Sequence, residues 1–319
     1  MKRIRIAALL ATTLLLLAAC NSVRMTKPLL KIIAVASSRP IPGLFYADSC
    51  EKRLDVPYVE NGDPAQVLDI YYADPAVRKN AAIIDFHGGF YVAGRKENNR
   101  DIASVFLKEG YDVVLLEYRL NDGQHDVSDE LADCAAGLDF LVTHADELGL
   151  NPERMFLTGD SAGGHLALYM AEGAEDPSLP IRPTIFSPRG VLLNCPAYDF
   201  ASFASPKAFS KAALEWFIGP KYEDTAWMAS MSPRTYIGSY TGPLFVSTCS
   251  NDFIRPQSLL IRADRDSLAR PVDFVDIAST DKKVGHVHNV LDIDLPASRE
   301  VNARMVEFMD KISLALNMQ

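Results

Sequence analysis

The sequence has little of what marks several protein classes. Its 319 residues include only 18 Gly and 19 Pro, and 48% of them are hydrophobic, which excludes collagen and disordered low-complexity chains. Apolar runs are short after the first 20 residues, so a multi-spanning membrane protein is excluded. Cations are also few, with 32 Lys and Arg against 41 Asp and Glu, and this balance argues against a nucleic-acid partner. What remains is a globular chain whose length suits one large α/β domain or two smaller ones.

Cysteine is scarce as well. The chain has five, and their spacing matches no zinc-binding pattern. Apart from Cys20, all of them (Cys50, Cys134, Cys195 and Cys249) are most simply interpreted as small buried hydrophobes. Cys195 and Cys249 end two strands that we expect to be neighbours in the sheet, so they are the one candidate disulfide.

The first 20 residues have the parts of an export signal. Lys2, Arg3 and Arg5 form a basic start, an apolar run covers 6–17, and small residues precede Cys20. The Leu-Ala-Ala-Cys sequence that ends at Cys20 resembles the bacterial lipobox, in which lipid is attached to the Cys and the chain is cut just before it. An ordinary secretory signal with a chance cysteine is the alternative. The resemblance implies a lipid-anchored protein of the bacterial cell envelope.

Three segments follow from this pattern. We predict a lipoprotein signal peptide at 1–19, a tether and lead-in segment at 20–55 and a single α/β domain at 56–319. The tether includes a predicted helix around 29–36. Asn21, rather than Asp, follows the lipobox cysteine, and the resemblance then favours the outer membrane if the host is a diderm.

From residue 66 onward, short apolar strands alternate with amphipathic helices. Strands are predicted at 66–72, 81–86, 111–118, 154–158, 191–195, 244–248 and 272–277, and helices at 99–109, 126–148, 162–174, 256–268 and 297–316. Such alternation predicts a mainly parallel sheet covered on both faces. The aromatic-rich segment at about 200–240 interrupts it, and we interpret this segment as an inserted helical cap whose aromatics either line a pocket or simply pack.

The strongest chemical signal is Gly-Asp-Ser-Ala-Gly at 159–163, directly between a predicted strand and a predicted helix. Gly159 and Gly163 lie two residues either side of Ser161, because a tight strand-to-helix turn brings backbones too close for side chains. The turn lifts the hydroxyl above the sheet, and the helix N-terminus favours developing negative charge there. Ser161 is the predicted nucleophile.

A serine nucleophile needs hydrogen-bond donors for the oxyanion that forms. His87, Gly88 and Gly89 follow the predicted strand at 81–86, and these glycines leave backbone N–H groups uncovered. We predict an oxyanion hole made by the N–H groups of Gly88, Gly89 and Ala162.

The serine also needs a base, which the residues after the last two strands supply. Asp252 follows the strand at 244–248, and both His286 and His288 follow the strand at 272–277. Ser, then Asp, then His is the chain order of the α/β-hydrolase triad. We predict His286 as the base because Gly285 gives its loop backbone freedom, with His288 as the alternative. A metal pair of the two histidines is disfavoured, since the triad already explains a histidine here, and no metal is predicted.

These motifs together resemble one family, the α/β-hydrolases of the hormone-sensitive-lipase type, which are a branch of carboxylesterases. The matching residues are His87-Gly88-Gly89, Tyr118-Arg119-Leu120, the helix from Asp133, 159–164, Asp252 and the loop of 286–288. The resemblance implies an eight-stranded sheet with helices on both faces, a Ser-Asp-His triad, no cofactor and hydrolysis of small carboxylic esters. Two residues depart from the pattern: Phe90 replaces a third Gly, and Phe253 replaces the Pro that usually follows the triad Asp.

Other functions remain open at this point. An exopeptidase or amidase uses the same chemistry, but it needs a pocket that holds a free amine and a second domain, which this length does not provide. A catalytically silent binding module would require neither Ser161 nor Asp252. The chain is also similar to small acetyl-esterases that act on decorated carbohydrates, so the acyl and alcohol groups stay undetermined. A serine carboxylesterase acting on a small-molecule ester is the main hypothesis.

Overall fold

The computed structural model describes residues 46–60, 62–203 and 211–317. The predicted signal peptide, Cys20 and the predicted helix around 29–36 lie outside these residues. Within the described ranges, no helix combines the length and the apolarity that a membrane span requires.

The described residues form one eight-stranded sheet with strand order β1-β2-β4-β3-β5-β6-β7-β8. The strands are β1 (Lys52–Pro57), β2 (Val67–Tyr71), β3 (Ala82–Phe86), β4 (Asp112–Leu116), β5 (Met155–Asp160), β6 (Val191–Asn194), β7 (Leu244–Cys249) and β8 (Asp273–Ile277). β2 runs antiparallel to both β1 and β4, and all other neighbours are parallel. The predicted fold class, an α/β-hydrolase fold with a mostly parallel eight-stranded sheet, is confirmed.

Helices cover both faces of this sheet. They are α1 (Arg100–Lys108), α2 (Val127–Thr143), α3 (Ala145–Leu148), α4 (Ala162–Glu175), α5 (Phe200–Phe203), α6 (Lys211–Ile218), α7 (Thr225–Ser230), α8 (Arg255–Ser267), α9 (His288–Leu291) and α10 (Pro296–Asn317). Leu138 of α2, Leu166 of α4 and Ile261 of α8 belong to one apolar core. Phe106 of α1 and Met305 of α10 belong to the other. The central strands are therefore buried on both sides, which explains their near-continuous apolar sequences.

The folded domain begins earlier than predicted. Ala47 is fully buried in a 3-10 turn at Tyr46–Asp48, and the edge strand β1 starts at Lys52. The predicted tether at 20–55 therefore extends too far, and the domain start at residue 56 is corrected. The strand escaped prediction because most of its side chains are exposed, so it lacks the apolar pattern of a covered strand.

The candidate disulfide between Cys195 and Cys249 does not form, because both residues are free, buried thiols, which agrees with their preferred interpretation as buried hydrophobes. β6 and β7 are neighbours as expected, but their register pairs Asn194 with Ser247, which places Thr248 beside Cys195. The Cys195 Sγ accepts a hydrogen bond from the Val287 N–H at 3.3 Å, whereas the Cys249 thiol donates to a loop carbonyl. The two thiols thus form hydrogen bonds with different residues of the loop that follows β8.

Candidate active site

Ser161 lies in a strained turn between β5 and α4. Its backbone has φ 54° and ψ −115°, a left-handed φ that a residue with a side chain adopts only when its surroundings enforce it. A Cβ added to Gly159 would lie 2.3 Å from the Gly163 carbonyl oxygen, and one added to Gly163 would lie 1.8 Å from the Phe86 oxygen. The two glycines are therefore required by backbone contact, as the sequence predicts.

Three predicted site residues meet in one hydrogen-bonded chain. The Ser161 Oγ lies 2.9 Å from Nε2 of His286, and Nδ1 of His286 lies 2.7 Å from Oδ1 of Asp252. Asp252 also accepts hydrogen bonds from Thr248 Oγ1 at 2.9 Å and from the Ile254 N–H at 3.0 Å. Burial alone would raise the pKa of Asp252, but the charge and hydrogen bond of His286, with the other donors, lower it overall. The carboxylate is thus held in its ionised form beside the imidazole.

His288, the alternative base, has a different place. Its Nδ1 lies 2.9 Å from the hydroxyl of Ser298, the third residue of α10, and that hydroxyl donates to the His288 carbonyl at 3.0 Å. Burial lowers the pKa of His288 to about 4, so the ring is neutral at pH 7. The structure brings His286 rather than His288 to Ser161.

The predicted oxyanion hole needs one correction. The Gly88 N–H donates to Oδ1 of Asp160 at 3.0 Å and so is already engaged. Gly89 has φ 142°, and a Cβ there would lie 1.9 Å from the Ala93 carbonyl oxygen. Ala162 is the first residue of α4, where an N–H has no partner within its own helix. Gly89 and Ala162 remain as candidate donors, and Gly88 is removed because its N–H binds a carboxylate.

His87 contacts the loop that carries Gly88 and Gly89. Nδ1 of its buried ring lies 2.9 Å from the Gly88 carbonyl oxygen, and Nε2 lies 2.9 Å from Oε1 of Glu117. Burial would lower the pKa of His87, but the charge of Glu117 and its hydrogen bond raise it overall. The ring stacks on Tyr118 with centroids 4.4 Å apart, so part of the Tyr-Arg-Leu motif supports this loop.

An apolar cavity opens beside Ser161 and encloses about 380 Å³ including its mouth. The side chains around it are Phe90, Tyr91, Ala162, Ala197, Phe200, Leu214, Phe217, Ile218 and Ile254. Leu214, Phe217 and Ile218 belong to α6, so the cap supplies one side of the cavity. Two aromatic side chains of the cap segment at about 200–240, Phe200 and Phe217, therefore line the pocket. This agrees with the interpretation that cap aromatics line a pocket.

The two departures from the family pattern are in contact with each other. Phe90 stacks on Phe253 with ring centroids 5.9 Å apart, and on Phe217 of α6 at 4.7 Å. Phe90 has a left-handed φ of 56°, in keeping with a position where the family has glycine. Sequence reasoning noted both residues separately, yet it had no signal that they form one stack.

Asp252 and His286 also belong to a group of three potential metal ligands. Cys195, Asp252 and His286 have potential ligand atoms within 4.8 Å of one another. Burial raises the pKa of the Cys195 thiol well above its usual value, so a thiolate ligand is disfavoured. The other two side chains are hydrogen-bonded to each other, and this donor set therefore fits hydrogen bonding better than metal binding.

The fold and the site geometry define a chain of the α/β-hydrolase class. The model of the BD-FAE family matches residues 68–259, which is more than half of the chain, and the protein therefore belongs to the BD-FAE family. It is 27% identical over 193 residues to carboxylesterase NlhH of Mycobacterium tuberculosis, covering 58% of this chain and 60% of that protein. It is 27% identical over 205 residues to ethyl acetate hydrolase of Pseudomonas putida, covering 61% of this chain and 58% of that protein.

A solved structure extends the likeness along the whole fold. Esterase B from Lactobacillus rhamnosis superposes with a TM-score of 0.76 at 23% identity, covering 98% of this chain and 97% of that one. The chain spans only 21–60% of the length of curated relatives that it matches. These comparisons establish the family and the fold.

Proposed function

We propose that the protein is a serine carboxylesterase that hydrolyses small or short-acyl esters through an acyl-enzyme. The observation that carries the proposal is the hydrogen-bonded chain of Ser161, His286 and Asp252, at the mouth of an apolar cavity. The membership of the BD-FAE family and the names of the relatives, a carboxylesterase and an ethyl acetate hydrolase, support the same chemistry.

The geometry suits both halves of the reaction. Nε2 of His286 takes the hydroxyl proton as Ser161 Oγ attacks the ester carbonyl, and Asp252 stabilises the imidazolium that forms. The N–H groups of Gly89 and Ala162 bind the oxyanion of the tetrahedral intermediate. His286 then gives its proton to the departing alcohol, leaving an acyl group on Ser161. Water attacks the acyl-enzyme by the same steps, and the carboxylic acid leaves.

The cavity indicates the class of acyl group. Its lining is almost wholly apolar, and Leu214 and Phe217 of the cap bound it on one side. An apolar pocket bounded by the cap favours an uncharged acyl chain, because a charged acyl group would lose its hydration without a partner. We infer that acetyl to butyryl esters are better substrates than long-chain esters.

A chromogenic acetate ester tests the proposal. We expect a burst of alcohol release equal to the enzyme concentration when deacylation is the slower step, followed by steady turnover that falls as the acyl chain lengthens. Ser161→Ala should lower kcat by roughly 10⁴-fold while the unfolding temperature stays close to that of the wild type. Tight binding of esters without turnover by the wild type would instead identify a binding module, and turnover by Ser161→Ala would exclude this nucleophile.

The place of the protein in the cell is a separate proposal. We infer from the Leu-Ala-Ala-Cys sequence that Cys20 is the mature N-terminus and carries lipid, which places the protein in the bacterial cell envelope, on the outer membrane of a diderm host. The Cys20→Ser protein should remain in the soluble fraction, whereas the wild type should sediment with membranes. An intact mass that shows an unmodified N-terminus at another residue would end this proposal.

A further inference from the structure

Two buried carboxyl groups lie directly beneath the loop that carries the candidate oxyanion donors. Asp85 belongs to β3 and Asp160 ends β5, and these strands are neighbours in the sheet. The residues are 5% and 7% exposed. The Asn99 Nδ2 donates to Oδ2 of Asp85 at 2.7 Å and to Oδ1 of Asp160 at 2.8 Å. One amide nitrogen therefore bridges both carboxyl groups, which places them within a few ångströms of each other.

Asp160 is also the group that holds the oxyanion loop. Its Oδ1 accepts the Gly88 N–H at 3.0 Å, and a Cβ on Gly88 would lie only 2.4 Å from its Oδ2. Gly88 directly precedes Gly89, whose N–H is a proposed oxyanion donor. The position of that donor therefore depends on the contact between Asp160 and the loop.

Charged and titratable groups approach this pair from several elements. The ring of His87 acts on both carboxyl groups, but its Nε2 is already paired with Glu117, which follows β4. His286, from the loop after β8, also acts on Asp160. Asn99, which ends a 3-10 turn at Lys96–Asn99, is neutral. Two negative charges in one buried site repel each other, and such pairs commonly keep one proton.

The balance between the two groups favours a proton on Asp85. Burial, followed by the charge of Asp160, raises the pKa of Asp85 to about 8. Burial also raises the pKa of Asp160, but Asn99, His87 and the Gly88 N–H stabilise its ionised form. Asp85 receives fewer such contacts, since Asn99 is the one donor that the structure gives it among the described residues.

We propose that Asp85 is a positioning residue that keeps a proton at neutral pH, so that Asp160 alone is ionised and holds the oxyanion loop in place. This inference rests on the proposed esterase function. When Asp85 loses its proton to solvent, a second negative charge lies beneath the oxyanion donors and opposes the charge that develops there. Ester hydrolysis therefore slows at alkaline pH for a reason separate from the Ser161–His286–Asp252 chain.

The pH dependence of kcat and KM tests this role. For the wild type we expect kcat to fall about tenfold on the alkaline side, with a midpoint near pH 8, while KM changes little. Asp85→Asn resembles the protonated carboxyl group in shape, so it should keep kcat at pH 7 within about threefold and lose the alkaline fall. Asp112→Asn is the matched control: Asp112 is a buried aspartate of β4 that pairs with Arg78, and its variant should keep the alkaline fall. An unchanged alkaline fall in Asp85→Asn would overturn the proposal.

A second measurement needs no turnover and separates this inference from the esterase function. Infrared difference spectra between Asp85→Asn and the wild type should show the carbonyl stretch of a protonated carboxyl group at pH 7 in the wild type only. Raising the pH through about 8 should remove that band. If the wild type hydrolyses esters but has no such band at pH 7, the esterase function stands and the role of Asp85 is refuted. The band would support the proton on Asp85 even in the Ser161→Ala background.

Discussion

Phe253 lies against the imidazole of His286, with ring centroids 4.4 Å apart. Phe253 directly follows Asp252, so one short loop supplies both the carboxylate that orients the imidazole and the ring that packs on it. Phe90 also packs against Phe253, and Phe217 of the cap packs against Phe90. The orientation of His286 is therefore limited by an aromatic stack as well as by its hydrogen bonds.

Removing this ring should slow the reaction without destroying the site. Phe253→Ala leaves the His286–Asp252 hydrogen bond in place but frees the imidazole to rotate, so we expect kcat to fall about two- to tenfold, the worth of an aromatic contact. Phe253→Leu, which keeps apolar bulk, should recover part of the loss. Steady-state kinetics on a short ester measure both variants, and an unchanged kcat in Phe253→Ala would show that the contact does not matter.

Replacing His286 should mainly affect kcat, whereas replacing His288 should mainly affect the unfolding temperature. His286→Ala removes the group that contacts Ser161 and should cost roughly 10⁴-fold in kcat, about as much as losing the nucleophile. His288→Ala should keep most of kcat but lower the unfolding temperature, because the Ser298 hydroxyl loses its hydrogen bond with the buried ring. The variants are assayed together by kinetics and thermal unfolding. Near-normal turnover in His286→Ala would overturn the choice of base.

The oxyanion loop should tolerate no side chain at Gly89. Gly89→Val places a Cβ against the Ala93 carbonyl and forces the loop to move, so we expect kcat to fall by about 10²-fold or more. Gly238→Ala is the control, since a Cβ there meets nothing within 4 Å. Rates of ester hydrolysis compare the two. A normal rate in Gly89→Val would remove Gly89 from the oxyanion hole.

The protonation of Asp85 should also appear in the stability of the protein. Because its pKa is raised to about 8 in the folded state and is about 4 in the unfolded chain, the folded state binds more protons between these values. The free energy of unfolding of the wild type should therefore fall, relative to that of Asp85→Asn, as pH rises from about 4 to 8, and the difference should level off above that. We expect a change of about 1 kcal/mol or more across this range. Urea unfolding at several pH values measures it, and a difference independent of pH would contradict the raised pKa.

Much of the fold could be predicted from sequence because its signals are local. The strands of the sheet centre are short apolar runs, and the turn at Ser161 has glycines that backbone contact demands. The chain order of Ser161, Asp252 and His286 was also readable, and the structure brings these side chains together. The edge strand β1 was missed because an exposed strand has no apolar pattern.

The remaining features depend on contacts between distant residues. Gly88 was expected to face an oxyanion, yet its N–H binds Asp160, and nothing in the local sequence shows which carboxylate lies below a loop. The bridge that Asn99 makes between Asp85 and Asp160 joins three separate segments. The same limit applies to the cysteine pair, where neighbouring strands were expected correctly but their register was not readable.

The distances along the chain between the site residues have a consequence for folding. Ser161 and His286 are 125 residues apart, and Gly88 and Asp160 are 72 apart. Contacts between residues this far apart in sequence form late, because the entropy of closing a long loop is lost before the contact energy is gained. His286 follows β8, the last strand along the chain, so a nascent chain that lacks β8 has a nucleophile without its base. During refolding, recovery of ester hydrolysis should therefore lag behind the recovery of helical circular dichroism and mark the docking of the last strand.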